Sequence, residues 1–247
     1  MPNVPRPFPP ALPHGAIEEV LPGIFQVTGT VRVPGPPLRF SRNMTIVKEG
    51  ERLVLVNTVR LDEAGLSKLD ALGKVTDVVR IAGNHGSDDP FYADRYGAKV
   101  WAVNGMRYTA GFDAKAETTY FDGHVEIEDA SALPLAGAKL HVMHSSPPEA
   151  LLILEREGGV CIAGDCLQNW NAPDDYFNLF ARVMMRVLGF IKPYNVGPAW
   201  LKQCKPPKDE LAAVTKLAFE HVLPAHGKPV IGGARAKFAP VLERVSR

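Results

Sequence analysis

The 247-residue chain has few cysteines: Cys161, Cys166 and Cys204 make an odd count, and no two stand in C-x-x-C spacing. That pattern argues against a disulfide framework and fits a reducing compartment, so the expected location is the cytoplasm. Net charge is almost absent too, with 28 Lys and Arg against 27 Asp and Glu leaving +1. Without a diffuse positive field, nucleic acid is not an expected partner. No run approaches the roughly 20 apolar residues needed to cross a bilayer, so no transmembrane segment is expected. The N-terminus lacks a basic stretch followed by an apolar core, and no signal peptide is expected there.

The composition that remains, 46% hydrophobic and 22% charged, lies in the globular range, and the length suffices for one large α/β domain with a proper core. Residues 1–17 read as a proline-rich arm, with Pro2, Pro5, Pro7, Pro9, Pro10 and Pro13 favouring an extended path; residues 18–247 read as a single domain. Ile24–Thr28 and Thr30–Val33 alternate as two half-buried strands, and Met44–Val47 with Leu53–Val56 reads as a hairpin. Asp62 is placed to cap a helix ending at Gly73. Val75–Val79, a short helix over Phe91–Tyr96 and Lys99–Val103 then make a parallel crossover. Short strands follow near His124–Ile127, Lys139–Met143, Leu151–Leu154 and Val160–Ala163, after which helical patterns dominate.

Four strand ends carry polar groups. Ile81-Ala-Gly-Asn-His-Gly-Ser-Asp-Asp-Pro packs one imidazole and two carboxylates after glycines; Val142-Met-His144 meets Ser145-Ser-Pro-Pro148; Val160-Cys-Ile-Ala-Gly-Asp165 ends in an acid; Val222-Leu-Pro-Ala-His226 runs into Gly227. Such repetition suggests one rim of a sheet on which ligating or acid/base groups converge.

This order of motifs, from about Glu18 onward, resembles the metallo-β-lactamase superfamily, whose fold is a four-layer αββα sandwich. His144, Asp165 and His226 match that family's later histidine, bridging Gly-Asp carboxylate and terminal histidine. The first motif, H-x-H-x-D-H, is degenerate here. With His85 in first position, Ser87 and Pro90 replace histidines and Asp89 keeps the acid. With Asn84 in first position, Gly86 and Asp89 replace histidines and Asp88 keeps the acid. A dinuclear zinc site needs about three protein ligands per metal, so the resemblance is to an atypical branch with room for one divalent ion. The first register would hold zinc on His85, His144 and Asp165. The second would use Asp88, Asp89, Asp165 and His226, a harder donor set that suits manganese, magnesium or iron at least as well as zinc.

The resemblance implies a hydrolase-like protein in which a metal-activated water attacks an ester, lactone, thioester or phosphoester of a small molecule, with Asp88 or Asp89 free to act as general base. The alternative is a metal-free relative that binds a small molecule or partner without turnover. A further expectation concerns Asp175–Ile191, where Phe177, Phe180, Met184, Val187 and Ile191 fall on one helical stripe. That stripe reads as a lid in which Phe177, Phe180 and Met184 would bind a substrate with a hydrophobic tail, or else as the packing face of a homodimer.

Overall fold

Residues 8, 10–33, 35, 37–106 and 124–247 are described by the structure, a computed structural model. Its first half builds one sheet in chain order. Glu18–Leu21 (β1), Ile24–Arg32 (β2), Arg39–Glu49 (β3) and Arg52–Val56 (β4) pair antiparallel. Parallel partners cannot be reached by a tight turn, so the chain crosses over through helices. Glu63–Leu72 (α1) leads to Lys74–Arg80 (β5), and Asp89–Tyr96 (α2) leads to Lys99–Val103 (β6), which pairs parallel with Val125–Ile127 (β7). Asp62 caps α1, its Oδ1 accepting the Gly65 N–H at 2.8 Å.

Ala138–Met143 (β8), Glu149–Leu154 (β9) and Val160–Ala163 (β10) form an antiparallel second sheet. After Leu167–Gln168 (β11) come the helix Leu179–Val187 (α3), the strand Asn195–Val196 (β12) that pairs with β11, and the helices Pro198–Cys204 (α4) and Lys208–Val214 (α5). His221–Pro224 (β13) then joins β10 in parallel, and Ala234–Val245 (α6) ends the chain.

Strand β9 shows how the layers stack, because all its residues are buried. Ala150, Leu152 and Leu154 join a core shared with Ile46, Val54 and Val78 of the first sheet, whereas Leu151 and Ile153 join a second core with Trp200, Leu211 and Phe238 from α4, α5 and α6. A strand alternates faces with period two, so these two memberships mean a sheet with a second sheet on one side and helices on the other. Leu66 and Leu69 of α1 pack against the outer face of the first sheet. The result is the four-layer αββα sandwich; each fully buried leucine contributes about 1.5–3 kcal/mol from burial.

Several sequence expectations are corrected in extent. The two strands expected over Ile24–Thr28 and Thr30–Val33 are one, Ile24–Arg32, because Gly29 continues the ladder opposite Arg42. Strand β3 starts at Arg39, ahead of the apolar run at Met44, and buries Ser41, Arg42 and Asn43. Pro198 opens α4. Pro2, Pro5, Pro7 and Pro9 lie outside the described residues, while the segment that follows runs along β2, with Thr30 N–H donating to Pro13 O at 3.0 Å and Gly15 N–H to Thr28 O at 2.8 Å.

The expected helix Asp175–Ile191 is also shorter and turned differently. Asn178 starts it, accepting the Ala181 N–H at 2.9 Å, and Gly189 at φ 77 follows its end. Its buried face is Ala181 and Met185, packed with Phe177, and not the stripe through Phe180, Met184 and Val187.

Candidate metal centre

The two sheets are clasped at one end, and the polar strand ends meet there. Ala150 N–H donates to Ile81 O at 2.7 Å, tying β9 to the end of β5, and Asn43 N–H donates to Ala225 O at 2.7 Å, tying β3 to the end of β13. Close approach of this kind needs small residues. A Cβ on Gly83 would stand 2.4 Å from the Pro147 side chain, and one on Gly164 would stand 2.3 Å from Ala82 Cβ. The Gly-Asp pair is therefore glycine for packing and aspartate for chemistry.

The loop after β5 is held from beneath by Arg80, which is 1% exposed and donates through Nε to Ala82 O at 3.2 Å. Gly86 turns the loop at φ 92, where a Cβ would press 2.5 Å from Asp89 Oδ2. This arrangement sends the His85 ring inward, 4% exposed, with Nε2 3.6 Å from Asp165 Oδ1. Asn84 donates to Asp165 Oδ2 at 3.3 Å.

His226 sits in a turn that only glycine can follow. At Gly227, φ is 90 and a Cβ would lie 2.1 Å from Asn169 O. Asn43 donates from Nδ2 to Pro224 O at 2.9 Å and to Gly227 O at 2.7 Å, while Asn169 N–H donates to His226 O at 3.0 Å. Trp170 covers the imidazole with ring centroids 5.0 Å apart, and Phe40 lies 5.8 Å from it. Phe177 is buried behind Trp170 at 5.5 Å, so it touches the wall that holds His226.

The electrostatics turn on one contact. His226 Nδ1 lies 3.0 Å from Ser41 O, a carbonyl that can only accept, so Nδ1 carries a proton. In the neutral ring Nε2 then presents a lone pair, and it faces the carboxylate Asp165 Oδ1 at 3.1 Å. Two acceptors at that distance attract only with a proton or a cation between them. Burial works to raise the Asp165 carboxyl, but His85 and His226 outweigh it and hold the group far below the usual carboxylate range. Burial keeps the His85 imidazole below its ordinary value, with Asp165 opposing in part.

His85, Asp165 and His226 form the group able to hold a metal among the described residues, with one ligand atom from each within 4.8 Å of the others. The geometry passes a fit test. Ligand atoms about 2.0–2.2 Å from a tetrahedral ion lie about 3.3–3.5 Å apart, and the 3.6 Å and 3.1 Å separations at Asp165 bracket that span. Two imidazoles and a carboxylate suit zinc, iron or manganese.

Three sequence-expected ligands are not in this group. His144 is turned to solvent, 72% exposed, with Nδ1 2.7 Å from Glu210 Oε1, and that carboxylate raises its pKa. Asp88 is ion-paired with Arg42 and accepts the Arg60 N–H at 2.8 Å. Asp89 is fully buried, accepts from Thr58 Oγ1, and is pushed up to about 6, chiefly by burial. Each is occupied by a partner distant in sequence.

Other residues enter that no motif announced. Glu149 is 1% exposed and accepts the Cys166 N–H at 2.6 Å; burial and then the Asp165 charge raise its carboxyl well above the usual range. Arg42, 7% exposed, balances Asp88 without an ion. Cys204 lies 3.9 Å from Asn84 Nδ2, its thiol pushed up to about 11 by burial and by Asp165.

No protein-family model and no curated protein matches the sequence. Solved structures do match its shape. The metallo-β-lactamase FIM-1 from Pseudomonas aeruginosa, in its mono-zinc form, superposes with a TM-score of 0.61 at 15% identity, covering 96% of this chain and 98% of that one. The fold is that of a metallo-β-lactamase. A metallo-β-lactamase from Hirschia baltica (TM-score 0.56, 15% identity, 92% of this chain and 98% of that one) gives the same answer. So does a β-lactamase domain protein from Burkholderia ambifaria (TM-score 0.56, 15% identity, 91% and 71%). Within the metallo-β-lactamase fold, this chain carries Asn84, Gly86 and Asp89 around a loop whose single imidazole, His85, points at Asp165.

Proposed function

We propose that the chain is a hydrolase of small molecules that uses one divalent ion held by His85, Asp165 and His226. The observation that carries this reading is the 3.1 Å contact between His226 Nε2 and Asp165 Oδ1, with His85 completing the set. When bound, such an ion polarises a carbonyl or phosphoryl oxygen and lowers the pKa of water. The chain's own part is to keep Asp165 ionised, to fix the His226 ring through Ser41 O and Trp170, and to orient Asp165 through Asn84. Arg42 adds positive potential beside His85, which favours negative charge developing on a substrate at this rim. Because Arg42 already neutralises Asp88, a second ion has no free acid there, and the site is mononuclear. The substrate class is an ester, lactone, thioester or phosphoester.

The experiment is hydrolysis of nitrophenyl acetate, a lactone, a thioester and a nitrophenyl phosphate by the EDTA-stripped chain, before and after zinc, manganese or iron. Turnover restored by one ion, and lost again in His226→Ala, is the expected result; no turnover with any ion overturns the hydrolase reading. A second reading has its own observation in favour. Separations of 3.1 Å and 3.6 Å are also those of ion pairs with protonated imidazoles, as in a pocket that binds a small molecule without turnover. Thermal shifts by small-molecule ligands that persist in EDTA support that second reading.

A further inference from the structure

Exposed large apolar side chains are concentrated at one helix. Along α3 and its C-terminal cap, Leu179 is 78% exposed, Phe180 42%, Val183 54%, Val187 77% and Leu188 55%; the other such residue among the described ones is Ile231 at 48%. Leu179, Val183 and Val187 recur every four residues and so make one strip. The opposite face, Ala181 and Met185, is already buried against Trp170 and Phe177. Holding the helix to the body uses that face alone, leaving the strip for another surface.

Charge identifies the occupant. From Asn178 to Lys192 the chain has Arg182, Arg186 and Lys192 and no carboxylate. Arg182 is turned back onto Phe177 O and Asp174 O, at 3.2 Å and 2.8 Å, whereas Arg186 and Lys192 are exposed and form no ion pair with another described residue. Asp174 and Asp175 precede the helix, and Asp174 Oδ1 accepts the Tyr176 N–H at 3.0 Å. Lys192 also lines a cavity of about 320 Å³ together with Lys237 and Arg244, and no carboxylate lines it. In a dimer packed strip to strip, α3 itself would bring no carboxylate to these cations, because residues 178–192 hold none. An apolar strip bordered by exposed cations matches hydrocarbon beside anionic headgroups.

We propose that α3 seats this protein on the surface of an anionic bilayer, with Leu179, Phe180, Val183 and Val187 at the acyl boundary and Arg186, Lys192, Lys237 and Arg244 toward the lipid phosphates. It is an interfacial seat, since no helix among the described residues is long and apolar enough to cross a membrane. It is independent of the metal centre.

The test is co-sedimentation of the full chain with vesicles of equal parts phosphatidylglycerol and phosphatidylcholine, against vesicles of phosphatidylcholine alone. Binding to the anionic vesicles is expected to be about tenfold stronger or more, and to weaken with salt. Leu179→Ser with Val183→Ser and Val187→Ser should abolish it, and Arg186→Glu with Arg244→Glu should reduce it to the neutral-vesicle level. These side chains are exposed, so an unchanged melting temperature shows that each variant has folded. No preference for anionic vesicles overturns the proposal. So does a concentration-dependent dimer, seen by light scattering, that the triple substitution dissolves, because the strip would then belong to a second copy.

Discussion

Replacing Asp165 with alanine is expected to lower affinity for zinc by about a hundredfold or more, the upper end of what losing a residue that merely supports a ligand costs. Asp165 Oδ1 is the atom that both imidazoles face, at 3.6 Å for His85 and 3.1 Å for His226. Removing it leaves two nitrogens with no anion between them, in a pocket where burial already opposes positive charge on His85. Asp165→Asn keeps the shape and loses the charge, so it separates ligation from packing. Competition titration against a zinc chelator reads the change directly. Affinity within about threefold of the parent in both variants would mean that the ion sits elsewhere.

The second large effect comes from a backbone position. Gly227→Ala is expected to destabilise the chain by about 3–5 kcal/mol, because φ is 90 and the added Cβ would stand 2.1 Å from Asn169 O and 2.3 Å from Asn169 C. Neither atom is the end of a flexible side chain. Asn169 is itself fixed, through its N–H to His226 O at 3.0 Å and by the Lys228 N–H to its own oxygen at 2.8 Å. The turn must therefore open, carrying His226 away from Asp165, so stability and metal affinity should fall together. Urea denaturation with the same chelator titration measures both; an unchanged midpoint would mean that the turn yields without cost.

What the sequence made legible follows from which physics is local. Alternating or continuous β-branched runs marked β4, β5, β6 and β10, and Asp62 and Gly73 marked the ends of α1, because strand period and helix capping are written within a few residues. The αββα sandwich came from a resemblance in motif order. Arg39–Asn43 was not legible as strand, since its burial depends on partners as distant as Ala225. The stripe through Phe180 and Met184 was legible as apolar, but the face that packs on the body is Ala181 and Met185, because periodicity shows that a face exists and not what covers it. At the site, His85, Asp165 and His226 stood at the turns where strands end. His144, Asp88 and Asp89 stood at similar turns, and what separates them is Glu210, Arg42 and Thr58, each remote in sequence. Glu149 looked like the polar start of a strand, and only the fold shows it buried against the Cys166 N–H.

The most direct measurement is the metal content of the chain purified without chelator and dialysed against zinc, manganese or iron, beside Asp165→Ala carried through the same steps. About one equivalent per chain is expected in the parent and almost none in the variant, as one site with three protein ligands requires. Two equivalents in the parent, or the same content in both proteins, would contradict a single ion held by His85, Asp165 and His226.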